Sequence, residues 1–449
     1  MQRKFRKLNH VRFNPPQILA IGFLGIILIG ALLLMLPIST YPGQRLSIIN
    51  ALFESTSAVC VTGLVVTDTA TTFTIFGEIV LLVLIQLGGL GFMTFGVLVA
   101  LMLGKKIGLT ERLLVQSSLN QFSLSGIIAL VKLILISTLI IEAIAALLLA
   151  FSWSREMGWG QAVYYGIFHS ISAFNNAGFD ITGDYRSLTN EVGNLPVNLI
   201  ISGLFILGGL GFTVIIDVIK NRKARRWSLH TKLVLISTLV INIVASLLIF
   251  YSEYNNPNTL GPLPMEDKML AAYFHGTVPR TAGFNTLDLT ALNSESIILT
   301  MGLMFIGGSS GSTAGGIKIT TFLLLILVAW SFIRQKEDIT LLRRRIPKDL
   351  VFRALSISVL GVFLVFIAVF LLEISEKHIS LMGLAFEAVS AFGTVGLSLG
   401  VTPELTTFGK CVIMILMFVG RLGPLTIAFA LTDSKREHIR YVEEKILIG

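Results

Sequence analysis

Long apolar runs alternate with short polar connections along most of the chain. Eight such runs lie at about residues 17–37, 75–103, 126–152, 196–218, 232–251, 295–332, 351–373 and 408–431. A helix rises 1.5 Å per residue, so roughly 20 apolar residues cross about 30 Å of hydrocarbon. Lipid offers the backbone no hydrogen-bond partners, which makes each run helical. Between each odd-numbered run and the next lies a semi-apolar stretch of a dozen or so residues. Such a stretch is too short to cross the bilayer as a helix, but it can enter and return where protein or water lines it.

These four stretches repeat one another. They read FESTSAVCVTGL from Phe53, FHSISAFNNAGF from Phe168, YFHGTVPRTAGF from Tyr273 and FEAVSAFGTVGL from Phe386. Each has an aromatic residue, a hydroxyl four positions on (Ser57, Ser172, Thr277, Ser390) and a glycine six beyond that (Gly63, Gly178, Gly283, Gly396). A second echo begins 24 to 30 residues after each of these glycines, counted to its own first glycine. It is LGGLGF from Leu87 and again from Leu207, then IGGSSG from Ile306 and VGRLGP from Val419. Two motifs recurring four times in order mark a tandem repeat. The units run over 1–104, 105–222, 223–340 and 341–449, the last ending in a cytoplasmic tail. The expected fold is an all-α polytopic membrane protein of four span–pore helix–span units, pseudo-fourfold about one central pore.

One glycine at the end of a short helix is ordinarily a C-cap. Four in register ask for more. Glycine lets the backbone take φ > 0 and redirect its carbonyls, and a helix carboxyl end carries about half a negative charge. Four such ends around an axis would form a ring of oxygens able to replace a cation's hydration shell. The filter positions are then Cys60, Val61, Thr62 and Gly63; Asn175, Asn176, Ala177 and Gly178; Arg280, Thr281, Ala282 and Gly283; and Gly393, Thr394, Val395 and Gly396. This reads as a pore for a monovalent, weakly hydrated cation. Arg280 is expected to turn away from the axis, since a fixed positive charge there repels the permeant ion.

The run 295–332 is too long for one span and contains FIGGSSGSTAGGIK from Phe305. Polar, irregular backbone survives at that depth only beside water or protein. The segment therefore reads as an intramembrane gate over residues 305–318, the one departure from the repeat. Its residues are Gly307, Gly308, Ser309, Ser310, Gly311, Ser312, Thr313, Ala314, Gly315, Gly316 and Lys318, with Lys318 on the cytoplasmic side. Arg421 stands where the other echoes have Gly89, Gly209 and Gly308. An arginine near the bilayer centre faces a cavity or a partner. Either it ties units together through a salt bridge to Glu78 or Glu387, or it sets a fixed charge beneath the filter.

The composition fits: 54% of residues are hydrophobic and 14% charged. The net charge is +9, and Lys and Arg cluster in MQRKFRK, GKKIGLTER, KNRKARRWSLHTK, RQKEDITLLRRRIPK and SKREHIR, with only scattered ones in the intervening connections. The clusters fall at both ends and in every second connection, so the charge sets orientation, with both termini cytoplasmic. It does not suggest nucleic acid. The first run lies too deep, and is too long, for a signal peptide. Cys60, in a short polar turn, and Cys411, in a span, suggest no disulfide. Gly311 and Gly316 nearly spell a phosphate loop, but Ile317 precedes Lys318 and the context is membrane helix. His169 and His275 lack a second ligand at metal spacing, and no nucleophile elbow appears, so no enzyme chemistry is expected.

With these motifs in place, the chain resembles the Trk/Ktr/HKT superfamily of potassium transporters over nearly its whole length. With eight spans and no extra pair ahead of the first unit, it is most similar to the bacterial Ktr membrane subunit. The resemblance implies K⁺ selectivity through Gly63, Gly178, Gly283 and Gly396. Sodium-transporting relatives often carry serine at the first of these, so Gly63 implies potassium. It also implies a homodimer in the cell membrane, stimulated by Na⁺, resting on a cytoplasmic ring of nucleotide-binding subunits. ATP or ADP would then bind only to that partner, and this chain would carry no covalent cofactor. Strict Na⁺-coupled symport and a sodium or ammonium permease remain open alternatives.

Overall fold

The computed structural model describes residues 14–91, 127–336, 338–341 and 344–431, with the isolated positions 94, 113, 116 and 444. The basic clusters MQRKFRK, GKKIGLTER and SKREHIR lie outside the described residues.

Helix α1 (Pro15–Leu34) begins at two prolines, whose fixed φ suits a first turn, after a capping Asn14. Leu19, Phe23, Ile27, Ala31 and Leu34 are buried, recurring every three or four residues. Ile21, Leu24, Leu28, Ile29 and Leu32 are exposed on the other side. A helix that is apolar even where exposed belongs in lipid. The same holds for α4 (Ile127–Met157), α8 (Leu229–Glu253) and α12 (Lys348–Ser375), each long and apolar enough to span.

After each of these comes a short helix: α2 (Ile48–Cys60), α5 (Trp159–Phe174), α9 (Met265–Thr277) and α13 (Leu381–Gly393). Their carboxyl-terminal halves are almost wholly buried, with Phe53, Phe168, Phe274 and Phe386 fully inside. Cys60 is the last residue of α2 rather than part of a turn, and both cysteines are free. A second apolar helix completes each set: α3 (Ile75–Leu90), α6 (Leu195–Leu210) with α7 (Phe212–Lys220), α10 (Ser294–Phe305) with α11 (Ile319–Ile333), and α14 (Thr407–Leu422) with α15 (Pro424–Leu431). A small hairpin, β1 (Thr340–Leu341) and β2 (Arg344–Arg345), pairs antiparallel ahead of α12.

The sequence leads one to expect continuous spans over 196–218 and 408–431, broken only in the third unit. The structure corrects this. Helices α6 and α7 meet at 95°, and α14 and α15 at 96°. The hinges are Gly211 (φ +89°, ψ 142°) and Gly423 (φ +87°, ψ 137°), and Gly91 ends α3 with φ +80°, ψ 128°. Only glycine adopts this backbone readily, so the last glycine of the echo motif is itself a helix breaker. In the third set residues 306–318 take the place of that single hinge.

The first glycine of the echo has a different cause. A methyl group on Gly88 would overlap the Val59 carbonyl oxygen, on Gly208 that of Phe174, and on Gly420 that of Phe392. Each contacted residue lies four positions before the glycine of the same set, so the second helix packs backbone-close against the short helix.

Candidate functional site

The four short helices end on one another. In three of them the last turn closes with a backbone bond five residues back, a Schellman pattern. Thr62 N donates to Ser57 O at 2.8 Å, Ala177 N to Ser172 O at 2.8 Å and Val395 N to Ser390 O at 2.9 Å. The third continues one helical bond further, from Ala282 N to Val278 O at 3.0 Å. Beyond these turns the backbone is alike in all four copies. Val61, Asn176, Thr281 and Thr394 have φ of 56°, 61°, 73° and 50°, and two residues later the glycines have φ of 90°, 70°, 79° and 92°. Non-glycine residues held at positive φ carry a cost of roughly 1–2 kcal/mol each and persist only where their surroundings fix them.

The glycines touch in a closed cycle. A methyl group built on Gly63 would overlap Ala177 O, and one on Gly396 would overlap Thr62 O. On Gly178 it would lie 3.0 Å from Ala282 O and 2.6 Å from Gly283 Cα, and on Gly283 2.6 Å from Val395 O. Every glycine thus abuts the carbonyl preceding the next one, with no room for any side chain. The carboxyl ends of α2, α5, α9 and α13 add their partial negative charge here.

The motif hydroxyls divide into two kinds. Ser57 Oγ and Ser390 Oγ accept from the amides of Gly63 (3.1 Å) and Gly396 (3.2 Å). Ser172 Oγ donates to Phe179 O at 2.6 Å, whereas Thr277 Oγ1 bonds back to its own helix at Tyr273 O and Phe274 O. Arg280 reaches sideways to α8, donating to Asn242 Oδ1 (3.0 Å) and Thr238 Oγ1 (3.4 Å). His169 and His275 make ordinary hydrogen bonds to Tyr165 O and Thr300 Oγ1.

Beneath the ring lies the segment 306–318. Ser309 N donates to Gly209 O (2.8 Å), Thr313 N to Gly208 O (3.3 Å), and Phe212 N to Gly311 O (3.1 Å), which ties the segment to the α6–α7 hinge. Gly307 N bonds Ile317 O at 2.8 Å, and Ile319 N bonds Gly308 O at 3.0 Å, closing its neck. Ser312 Oγ donates to Ser309 O, and Ser309 Oγ lies 3.5 Å from His230 Nε2. Ser310 is half-buried, while Ala314 and Gly315 are buried. A methyl built on Gly316 would lie 3.3 Å from Gly393 Cα and from its carbonyl oxygen. Lys318 Nζ folds onto Ala314 O (2.6 Å) and Gly315 O (3.4 Å) of its own segment.

Arg421 corrects the salt-bridge alternative. Its guanidinium donates to the carbonyls of Thr313, Gly88 and Gly89. Glu78 instead accepts from Tyr164, and Glu387 from Ser398 and Thr402. The orphan carbonyls at the end of α3 attract the guanidinium, so Arg421 joins α14, α3 and the segment.

Glu54, Gln86 and Glu142 escaped the sequence reading, as did the roles of Glu387 and Asn175. Glu54 Oε1 accepts from the amides of Val66 (2.8 Å) and Thr67 (3.1 Å), holding the chain that leaves Gly63. Glu387 holds the chain leaving Gly396 through side chains instead, accepting from the hydroxyls of Ser398 and Thr402. Both follow the motif aromatic directly in the first and fourth copies, the signal that could have revealed them. Asn175 Nδ2 donates to Gln86 Oε1 (2.6 Å) and Glu142 Oε1 (3.1 Å), and Gln86 Nε2 to Glu142 Oε2 (3.1 Å). Glu142 is the only acid in the run 126–152, which makes it a functional candidate in lipid.

The family model TrkH, described as a cation transport protein, matches residues 14–437. The Ktr system potassium uptake protein B of Bacillus subtilis (strain 168) is 50% identical over 447 residues, covering 100% of this chain and 99% of the other. The protein of the same description in Vibrio alginolyticus is 41% identical over 445 residues, covering 99% and 97%. The potassium/sodium uptake protein NtpJ of Enterococcus hirae is 37% identical over 455 residues, covering 100% and 99%. Among solved structures, the potassium transporter TrkH of Vibrio parahaemolyticus matches 96% of this chain and 87% of its own with a TM-score of 0.72 at 20% identity, a likeness of fold.

Proposed function

The chain belongs to the TrkH family of cation transport proteins and crosses the membrane several times, and from that premise we propose that it takes up K⁺ through the ring of Gly63, Gly178, Gly283 and Gly396. The observation that carries this reading is the closed cycle of glycines and carbonyls, with a left-handed residue two positions before every glycine. Backbone oxygens in such a ring substitute for water around a large monovalent cation, and glycine at each position keeps the path free of side chains. The names of the relatives, potassium uptake proteins, support the choice of ion.

In this reading residues 305–318 form a gate held shut from below. Arg421 fastens Thr313 to the end of α3, and the amides of Ser309 and Thr313 fasten the segment to α6. A cytoplasmic ring of nucleotide-binding subunits would move this gate, with ATP or ADP on those subunits and the membrane chain acting as a homodimer. Both termini would face the cytoplasm. Na⁺ would stimulate uptake, as the potassium/sodium name of one relative suggests. The membrane chain itself would transport rather than catalyse.

The test is ion flux in liposomes under separate K⁺, Na⁺ and NH₄⁺ gradients, for the wild type and for Gly63→Ser. K⁺ should move fastest, and the serine should reduce discrimination against Na⁺. A chain that moves no K⁺, or whose selectivity ignores the substitution, lacks this filter. Removing residues 311–316 should raise flux without a regulatory partner.

A further inference from the structure

The layer under the glycine ring contains a contact that a simple plug would not need. Asn176, two residues before Gly178, is 1% exposed, as is Thr313 in the intramembrane segment. Thr313 Oγ1 lies 2.7 Å from Asn176 Oδ1 and 3.3 Å from Phe174 O. A hydroxyl has one proton to give, and the shorter bond takes it. Asn176 Nδ2 in turn donates to Phe205 O (3.2 Å) and to Thr281 Oγ1 (3.4 Å), the residue two positions before Gly283. The Thr313 main chain is fixed independently, its amide on Gly208 O and its carbonyl by Arg421. In the fourth copy a methyl on Gly315 would overlap Thr394 Oγ1, again two positions before the glycine. The segment therefore meets the left-handed residues of the second and fourth copies, and reaches the third through Asn176.

A blocking loop requires bulk in the path. It has no need of a buried hydrogen bond to a residue in a costly backbone conformation. Such a conformation persists because the surroundings fix it, and Thr313 is one of the surroundings. We propose that Thr313 is a specificity-determining residue: seated, it braces Asn176 and through it Thr281, so selectivity of the filter differs between the seated and displaced states of the segment. The proposal rests on the reading of the ring as filter and the segment as gate, and adds that the two are coupled. Coupling is reciprocal, so K⁺ in the filter would also favour the seated segment.

Thr313→Val keeps the shape and removes the hydroxyl. Losing the bond while its acceptor stays buried should change the seated-to-displaced balance by about fivefold to tenfold. The experiment reads K⁺ and Na⁺ flux separately from the full-length protein in liposomes. Thr313→Val should raise K⁺ flux and lower the K⁺/Na⁺ flux ratio by a similar factor, and Thr313→Ser should recover the ratio. Thr313→Ala serves as a second variant should valine not fold, with the same expected fall. In an Asn176→Ala background, adding Thr313→Val should give no further fall, since Thr313 acts through Asn176. Raised flux at an unchanged ratio would leave a gate without coupling and overturn the proposal, as would a fall that serine does not recover. An unchanged ratio in Gly63→Ser would instead remove the filter reading beneath it.

Discussion

The glycine ring and the layer of helix breaks below it differ in how faithfully they repeat. In the ring all four copies share the same backbone, a left-handed residue followed two positions later by glycine, whatever the side chains between. In the lower layer three breaks are single glycines and the fourth is a segment from Ile306 to Lys318. In the proposed filter the backbone oxygens would bind the permeant ion, so side chains there are free to drift while φ and ψ are not. The lower layer is held by side chains and amides reaching between sets, and it can be asymmetric without spoiling the ring. In the proposed reading, symmetry sits where the filter would bind an ion, and asymmetry sits where the gate would move.

The strongest break of this contrast is Gly178→Ala. Its methyl would fall 2.6 Å from Gly283 Cα, at φ +70°. K⁺ uptake should fall at least about tenfold, since the left-handed backbone alone costs an alanine roughly 1–2 kcal/mol. Gly203→Ala, which meets nothing within 4 Å, should match the wild type in the same flux assay. Next in size is the lower layer. Arg421→Gln should raise K⁺ flux without a partner by about tenfold, because one hydrogen bond to a charged group contributes about 1.5–3 kcal/mol. Lys318→Gln should change flux far less, since Lys318 bonds only to its own segment. Equal effects from the two would mean that charge alone, not the tie to α3, holds the segment.

A smaller effect is expected to the side of the ring. Glu142→Leu strands Gln86 and Asn175, and should lower the K⁺/Na⁺ flux ratio by about fivefold, the worth of one net hydrogen bond of about 1 kcal/mol. Glu142→Gln, which keeps an acceptor, should lose less. The smallest effects separate the motif hydroxyls. Ser57→Ala and Ser390→Ala remove an acceptor for a ring amide and should each lower thermal stability by about 1 kcal/mol with a measurable drift in selectivity. Thr277→Ala should leave selectivity unchanged, since Thr277 bonds its own helix.

Much of the architecture was legible in the chain because it is local. Runs of about 20 apolar residues can only be helices in lipid, and the all-α polytopic class follows. A glycine six residues after a hydroxyl records one turn of chain, so the repeat could be read without knowing its neighbours. The hinges at Gly211 and Gly423 were also written there, but periodicity alone does not separate a glycine needed for close packing, such as Gly208, from one that bends the helix, such as Gly211. Arg421 shows the limit most clearly. A salt bridge to Glu78 or Glu387 is one of the two readings its sequence allows, yet its partners are carbonyls of Gly88, Gly89 and Thr313, more than a hundred positions away.

By itself, then, the sequence determined the all-α membrane class, the fourfold recurrence of its motifs, and which residues needed freedom of backbone. Those properties arise from solvent and sterics acting over a few residues. The tertiary structure alone decided that Gly63 neighbours Gly178 and Gly396, that Glu54 and Glu387 hold the chain leaving the glycines, and that Thr313 meets Asn176. A buried polar group must find a partner, but chain order does not say which, because the partner is chosen by how helices distant in sequence pack against one another.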